Sequence, residues 1–124
     1  MDLTTTLGTS FARALAAKDA GALRELLHAE VDFRGMTPNR FWEASGPGEV
    51  LEIVFGRWFE DKDEIRSLEH VETDAFADRE RVGYRFSVRN TKGRFLVEQQ
   101  AYLGELDGRI GWMRVVCSGF RPID

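Results

Sequence analysis

The sequence predicts an α+β domain in which a curved, mostly antiparallel sheet wraps over about three N-terminal helices. Helical periodicity is confined to the first half of the chain, and most strand patterns follow it, which is the segregated arrangement of the α+β class. The last third, Arg81 to Arg121, reads as three consecutive antiparallel strands with large side chains on both faces. A sheet of that kind must be covered on both sides, and a chain of 124 residues supplies helices for one side only. The expectation is a pocket on the concave side and a partner subunit on the other.

The length suits one domain, 1–124, with a single core. A net charge of −4 gives no electrostatic reason to bind nucleic acid or an anionic membrane. The 17 basic residues are interleaved with acids, as in Arg24-Glu25 and Asp78-Arg79-Glu80-Arg81, which reads as solvated surface. No apolar run approaches a membrane span. The N-terminal segment carries Asp2 and polar periodicity rather than a secretory pattern. The lone Cys117 excludes an internal disulfide and fits a reducing compartment, so a cytoplasmic protein is expected.

Leu7, Phe11, Ala14 and Leu15 form one helical stripe over about residues 5–17. Lys18-Asp19 breaks it, and Asp19 can cap a short second helix running to about His28, with Leu23, Leu26 and Leu27 buried. Val31 and Phe33 alternate with Asp32 and Arg34 as a short strand. Residues 35–48 read as a long loop whose aromatics, Phe41 and Trp42, fold back over the protein. Ser45 or Gly46 can start a third helix with Pro47 at its first position. Its broad apolar face is Val50, Leu51, Val54, Phe55, Trp58 and Phe59, and the acidic run from Glu60 to Glu64 closes it. Strands are expected over Ile65 to Ala75, turned at Ala77-Asp78-Arg79, and then over the last third.

Asp107-Gly108 is a strong hairpin signal, because both central residues of a type I′ turn need positive φ. It pairs Leu106 with Arg109, and regular counting then opposes Leu103 to Trp112, Tyr102 to Met113, Gln100 to Val115 and Glu98 to Cys117. With an even-length turn near Asn90, one face carries Val82, Tyr84, Phe86, Val88, Val97, Gln99, Ala101, Leu103, Trp112, Arg114 and Val116. The other carries Arg85, Ser87, Leu96, Glu98, Gln100, Tyr102, Met113, Val115 and Cys117. Mid-strand polar groups are costly unless paired or wet, so Glu98 beside Arg85 or Ser87 is either a pocket acid or a structural ion pair.

FARALAAKDAGALRELLHAEVDF, SGPGEVLEIVFGRWF and YLGELDGRIGWMRVVCSGF together resemble the nuclear transport factor 2-like superfamily and, within it, the SnoaL-like domains. The resemblance implies a cone: a strongly bent sheet that cups helices around an apolar cavity. It also implies pairing through the outer sheet face, with Tyr84, Phe86, Trp112 and Val116 in the contact. In the ketosteroid isomerase branch a tyrosine and a protonated aspartate form the oxyanion site, and a second aspartate moves the proton. Those positions fall here on Phe11, Gln100 and Gly35, none of which carries the required group. For cyclase or epoxide hydrolase chemistry, Glu98, Arg85 and Asp32 are the nearest equivalents by character, and the acid–base pair that epoxide opening needs is not met.

His28 and His70 are isolated and give no metal spacing, and no cofactor is expected. His28 can favour the negative end of a helix dipole. Cys117 is a nucleophile only beside a base, and otherwise a small core residue. Two functions follow. One is a small-molecule-binding cone for an apolar or aromatic ligand, of isomerase, cyclase or hydrolase type if it is catalytic. Its polar groups would be Glu98, Gln100 and Tyr102 (Glu98 the best catalytic candidate), and its walls Trp42, Trp58, Met113, Val115 and Cys117. The other is a noncatalytic homodimeric interaction or carrier module whose interior is filled.

Overall fold

A computed structural model describes residues 5–123; the N-terminal reading at Asp2 lies outside the described residues. Helix α1 (Leu7–Ala17) starts where the Thr6 hydroxyl accepts from the Thr9 N–H, and Lys18 in the left-handed region ends it. Asp19 caps α2 (Ala20–Leu26) by accepting from the Ala22 N–H at 3.0 Å. The second helix is shorter than expected: His28 lies in strand β1 (Leu27–Thr37), not at a helix end. Its Nδ1 accepts from the Glu30 N–H, and its Nε2 sits 3.3 Å from Asp107 at the far hairpin turn.

The expected long loop is instead a hairpin. Strand β2 (Arg40–Ser45) pairs antiparallel with β1, and Pro38-Asn39 make the turn. Proline followed by an asparagine at positive φ (69°) is the arrangement of a type II turn. Helix α3 (Pro47–Ile53) begins at Gly46 with Pro47 first, as expected. It continues as a π-helical turn over Val54–Trp58, closed by the Phe59 N–H donating to the Val54 carbonyl at 2.8 Å. The wider turn carries Trp58 and Phe59 into the interior, where both are buried.

Strands β3 (Glu64–Phe76), β4 (Arg79–Asn90), β5 (Gly93–Leu106), β6 (Arg109–Cys117) and β7 (Arg121–Ile123) complete one sheet of order β2-β1-β6-β5-β4-β3. Only β1 and β6 run parallel among these neighbours. Strand β7 pairs with the start of β5, a stretch that lies beyond the end of β6. Two register shifts in the β3–β4 pairing bend the sheet.

The β4–β5 turn is even, so Tyr84 opposes Gln99 and Arg85 opposes Glu98, as counted from the sequence. The β5–β6 register is not the counted one. Leu106 pairs with Arg109, but Gly111 is a bulge, and beyond it Gly104 opposes Trp112, Tyr102 opposes Arg114 and Gln100 opposes Val116. Glycine is required there, because a Cβ on Gly111 would stand 2.6 Å from that of Leu106. One extra residue exchanges the two faces of everything after it.

The concave face therefore holds Val82, Tyr84, Phe86, Val88, Val97, Gln99, Ala101 and Leu103 from β4 and β5, joined by Met113 and Val115 from β6, all buried. The sequence reading had put the first set outside and the second inside. Burial of each large apolar side chain contributes about 1.5–3 kcal/mol, so the more apolar face turns inward. Rings fill the concavity in a chain of contacts: Phe11–Tyr84, Tyr84–Phe86, Phe86–Phe59, Phe59–Phe120 and Phe120–Phe95, with centroids 5.3–6.3 Å apart.

Candidate functional site

The residues expected to form a pocket divide between two faces. Trp42, Trp58, Met113, Val115 and Cys117 lie on the concave side. Glu98, Gln100 and Tyr102 do not. They occupy the convex face with Trp112, Arg114 and Val116, because β5 offers its odd-numbered residues to the helices. Glu98 accepts from Arg85 Nη2 at 2.7 Å and from Nε at 3.1 Å, with both partners exposed. The expected contact is present as a surface ion pair. Asp32 is likewise outside, 3.3 Å from Arg114 Nη1. Of the residues assigned to a dimer contact, Tyr84 and Phe86 are core, while Trp112 and Val116 do face outward.

Two polar residues that reach the interior, Tyr84 and Gln99, are ones the sequence reading had placed on the outer face, while Trp58 is inside as expected. The Tyr84 hydroxyl donates to Gln99 Oε1 at 2.7 Å in a fully buried pair. Gln99 is 1 % exposed and its Nε2 has no partner among the described residues; Trp58 is 7 % exposed and its Nε1 has none there either. Trp42 is different, since its Nε1 donates to Thr37 Oγ1 at 2.8 Å. The Trp58 ring packs on Phe33 (5.8 Å) and edge-on to Trp42 (6.4 Å). It also covers Gly35 so closely that a Cβ there would lie 2.6 Å from the ring. The position where the isomerase resemblance requires an aspartate is thus occupied by indole.

The pair Tyr84–Gln99 sits beside Cys117, which opposes Gln99 across β5 and β6. Beyond Cys117 the chain turns at Gly119 (φ 78°), packed against Pro38, and Phe120 folds in against Phe59 and Phe95. Half-buried Trp42, Cys117 and Phe120 close this end of the cone.

Two carboxylates also turn away from water, and both are satisfied. Asp63 accepts from the Glu60 N–H and from Asn90 Nδ2 at 3.0 Å. Glu80 accepts from the hydroxyls of Thr6 and Thr73 and from the Gly8 N–H at the start of α1. Glu80 also lines a surface depression of about 670 Å³ between the start of α1 and the β3–β4 turn. His70 lies near Glu72 on β3. No group of side chains suited to a metal ion occurs among the described residues. No helix there is long and apolar enough to cross a membrane.

Desolvation raises the Tyr84 pKa well above the ordinary tyrosine range, and the Cys117 thiol adds to the effect. An unfolded tyrosine ionises near pH ~10. The folded value is the higher one, so this contribution to stability is intact below about pH 10 and declines as the pH rises toward the folded value. Urea unfolding at about pH 9, 10 and 11 is expected to show a steeper alkaline loss for the wild type than for Tyr84→Phe; parallel profiles would contradict the burial of this hydroxyl.

No protein-family model matches the sequence, and no curated protein matches it either. Solved structures do. A candidate isomerase from Rhodopseudomonas palustris superposes with a TM-score of 0.74 at 20% identity, covering 94% of this chain and 93% of that one. A Catenulispora acidiphila protein described as ketosteroid isomerase-like in fold, in complex with trimethylamine, gives 0.68 at 15% identity, with 93% and 87% covered. An epoxide hydrolase from M. tuberculosis, described as LEH-like, gives 0.66 at 13% identity, with 90% and 80% covered. With its helices cupped by one bent sheet, the chain has the nuclear transport factor 2-like fold.

Proposed function

We propose that the protein binds an apolar small molecule on the concave side of the sheet, at a site made by Trp58, Gln99 and Tyr84 with Trp42 and Cys117 at its mouth. One observation carries this reading: Trp58 Nε1 and Gln99 Nε2 are buried without partners. Each such atom costs about 1–3 kcal/mol, and leucine or phenylalanine would fill the same space without that cost. Buried donors of this kind call for a partner, and an acceptor supplied by a bound molecule is one such partner. A π-helical turn at Trp58 fits the same reading, since such turns recur at functional sites. Several proteins of similar fold are described as isomerases, polyketide cyclases or epoxide hydrolases, which supports a small-molecule role. Carboxylate-driven proton transfer is not part of the proposal, because Glu98 and Asp32 face outward and Glu80 and Asp63 are held in hydrogen bonds.

The filled concavity must open to admit a ligand, and Trp42, Cys117 and Phe120 are the side chains that would move. A ligand that prefers the native state raises its melting temperature. A thermal-shift screen of apolar and aromatic compounds is expected to give hits for the wild type. Glu98→Gln should retain them, since its ion pair is on the surface, and Gln99→Leu should weaken them. A screen without hits, or hits lost in Glu98→Gln and kept in Gln99→Leu, would overturn the proposal.

A second copy of the chain is the proposed partner for the convex face. Phe41 (77 %), Phe76 (64 %), Val116 (55 %) and Met36 (43 %) are exposed there, with Trp112 between the guanidiniums of Arg79 and Arg114. Met36, Phe41 and Val116 are neighbours on β1, β2 and β6, and clustered apolar surface of this kind marks interfaces. Light scattering coupled to gel filtration is expected to report a dimer that Val116→Glu converts to monomer without loss of folding. A monomeric wild type at high concentration would refute it.

A further inference from the structure

We propose that residues Phe120–Ile123 are a strap that shuts the cone, and that the strap peels from β5 about Gly119 to let a small molecule reach the concave side. This rests on the small-molecule reading above and adds how access to that site is controlled. The strap is built where β6 ends. Strand β6 pairs with β5 from Leu106 back to Gln99 and stops at Cys117, so the start of β5, Arg94–Leu96, is paired by β7 instead. Ser118 makes the handover: its N–H donates to the Glu98 carbonyl at 2.8 Å, and its hydroxyl accepts from the Glu98 N–H at 2.9 Å. A side chain thus completes the last pair, and the backbone beyond it leaves the line of β6.

Gly119 is the hinge. Its φ of 78° lies in the left-handed region, and a Cβ there would stand 2.8 Å from Pro38 Cγ, so conformation and space both require glycine. Its N–H donates to Cys117 Sγ at 3.4 Å, which lays the turn across the thiol. Phe120 then enters the concavity with its ring 6.0 Å from that of Phe59 and 5.6 Å from that of Phe95.

The strap is held less firmly than its neighbours at this mouth. Strand β7 has three residues, and the middle one, Pro122, has no N–H to give the ladder. Arg121 and Pro122 are exposed, and the Phe120 ring is half-buried. Trp42 is pinned by contrast: every residue of its strand pairs with β1, its N–H is used on Thr37, and the Arg40 guanidinium lies 3.7 Å over its ring. Cys117 belongs to β6 and opposes Gln99 in the ladder, so it moves only if β6 does. Local opening starts in segments with short ladders and little buried surface, and here that segment is the one carrying Phe120.

The neutral fluorescent probe N-phenyl-1-naphthylamine reports entry. Arg94→Cys with Ile123→Cys pins the strap, since these two residues oppose each other across β5 and β7 and cross-strand partners are spaced for a disulfide. Both lie on the convex side, away from the site. Probe association should slow about tenfold or more in the oxidised protein and recover with reductant, because the observed rate scales with the open fraction. Phe120→Ala should speed it by about tenfold. Alkylation of Cys117 by iodoacetamide, measured without probe, should be slower in the cross-linked protein than in the wild type and faster in Phe120→Ala. Leu96→Cys with Arg121→Cys makes the same test if the first pair does not fold or oxidise. A bound probe whose association ignores the cross-link overturns the strap as a gate and leaves the binding cone standing. Absence of probe binding in every form overturns the cone site; the strap then stands or falls on the thiol, and alkylation at one rate in all three proteins sinks it.

Discussion

Phe86→Ala is expected to destabilise the protein by about 3–5 kcal/mol, the largest effect of any single truncation considered. Phe86 is fully buried on β4, with its ring 5.6 Å from Phe59 and 5.3 Å from Tyr84. It joins the sheet to the π-helical turn that carries Trp58 and Phe59. Removing the ring loses both the transfer free energy and the packing around the cavity it leaves, and the bent sheet behind it cannot collapse to close the gap. Chemical denaturation measures the difference; a change below about 1 kcal/mol would mean that the concavity is not packed as described.

Glu80→Ala is expected to cost about 2–4 kcal/mol, with Glu80→Gln recovering part of the loss. The Glu80 carboxylate accepts from the Thr6 and Thr73 hydroxyls and from the Gly8 N–H. It ties the start of α1 to β3 and β4 while meeting the positive end of the helix dipole. Alanine leaves those donors without an acceptor in a half-buried place, whereas glutamine keeps one oxygen for them. Hydrogen exchange should show the first turn of α1 opening more readily in the alanine variant than the rest of the helix. A uniform change, or none, would show that Glu80 is not what holds that end.

Glu80 also shows how far local pattern reaches. In Asp78-Arg79-Glu80-Arg81 it looks like one more solvated charge, and Asp78 is that, whereas Arg79 lies over Trp112 and Arg81 is paired with Asp74. Its role comes from Thr6, 74 residues away, and no local pattern records that approach. Strands β3 to β6, the caps at Asp19 and Gly46 and the Asp107-Gly108 turn were legible, because each depends on the backbone preferences of a few neighbouring residues. The β1–β2 hairpin was overlooked although Pro38-Asn39 is itself a turn signal; its aromatics had been given to a folded-back loop.

The candidate site was less legible. Val82, Tyr84, Phe86 and Val88 alternate as the most apolar row in the sequence, and the rule that such a row faces the core would have found Tyr84 and then Gln99 opposite it. The expectation of a dimer seam sent that row outward instead. The Gly111 bulge then moved Met113 and Val115 to join it.

By itself the sequence determined the α+β class and most element boundaries, since these follow from periodicity and turn chemistry along short stretches, while the pairing of β4 with β5 followed only once the turn near Asn90 was seen to be even. Only the tertiary structure decided which face of the sheet is the inside. That choice depends on the summed burial of residues from four strands and three helices, and on one glycine that shifts the last register by a single step. A period of two has no memory of direction, so each side chain's place relative to the core is fixed only when the whole sheet closes over the helices.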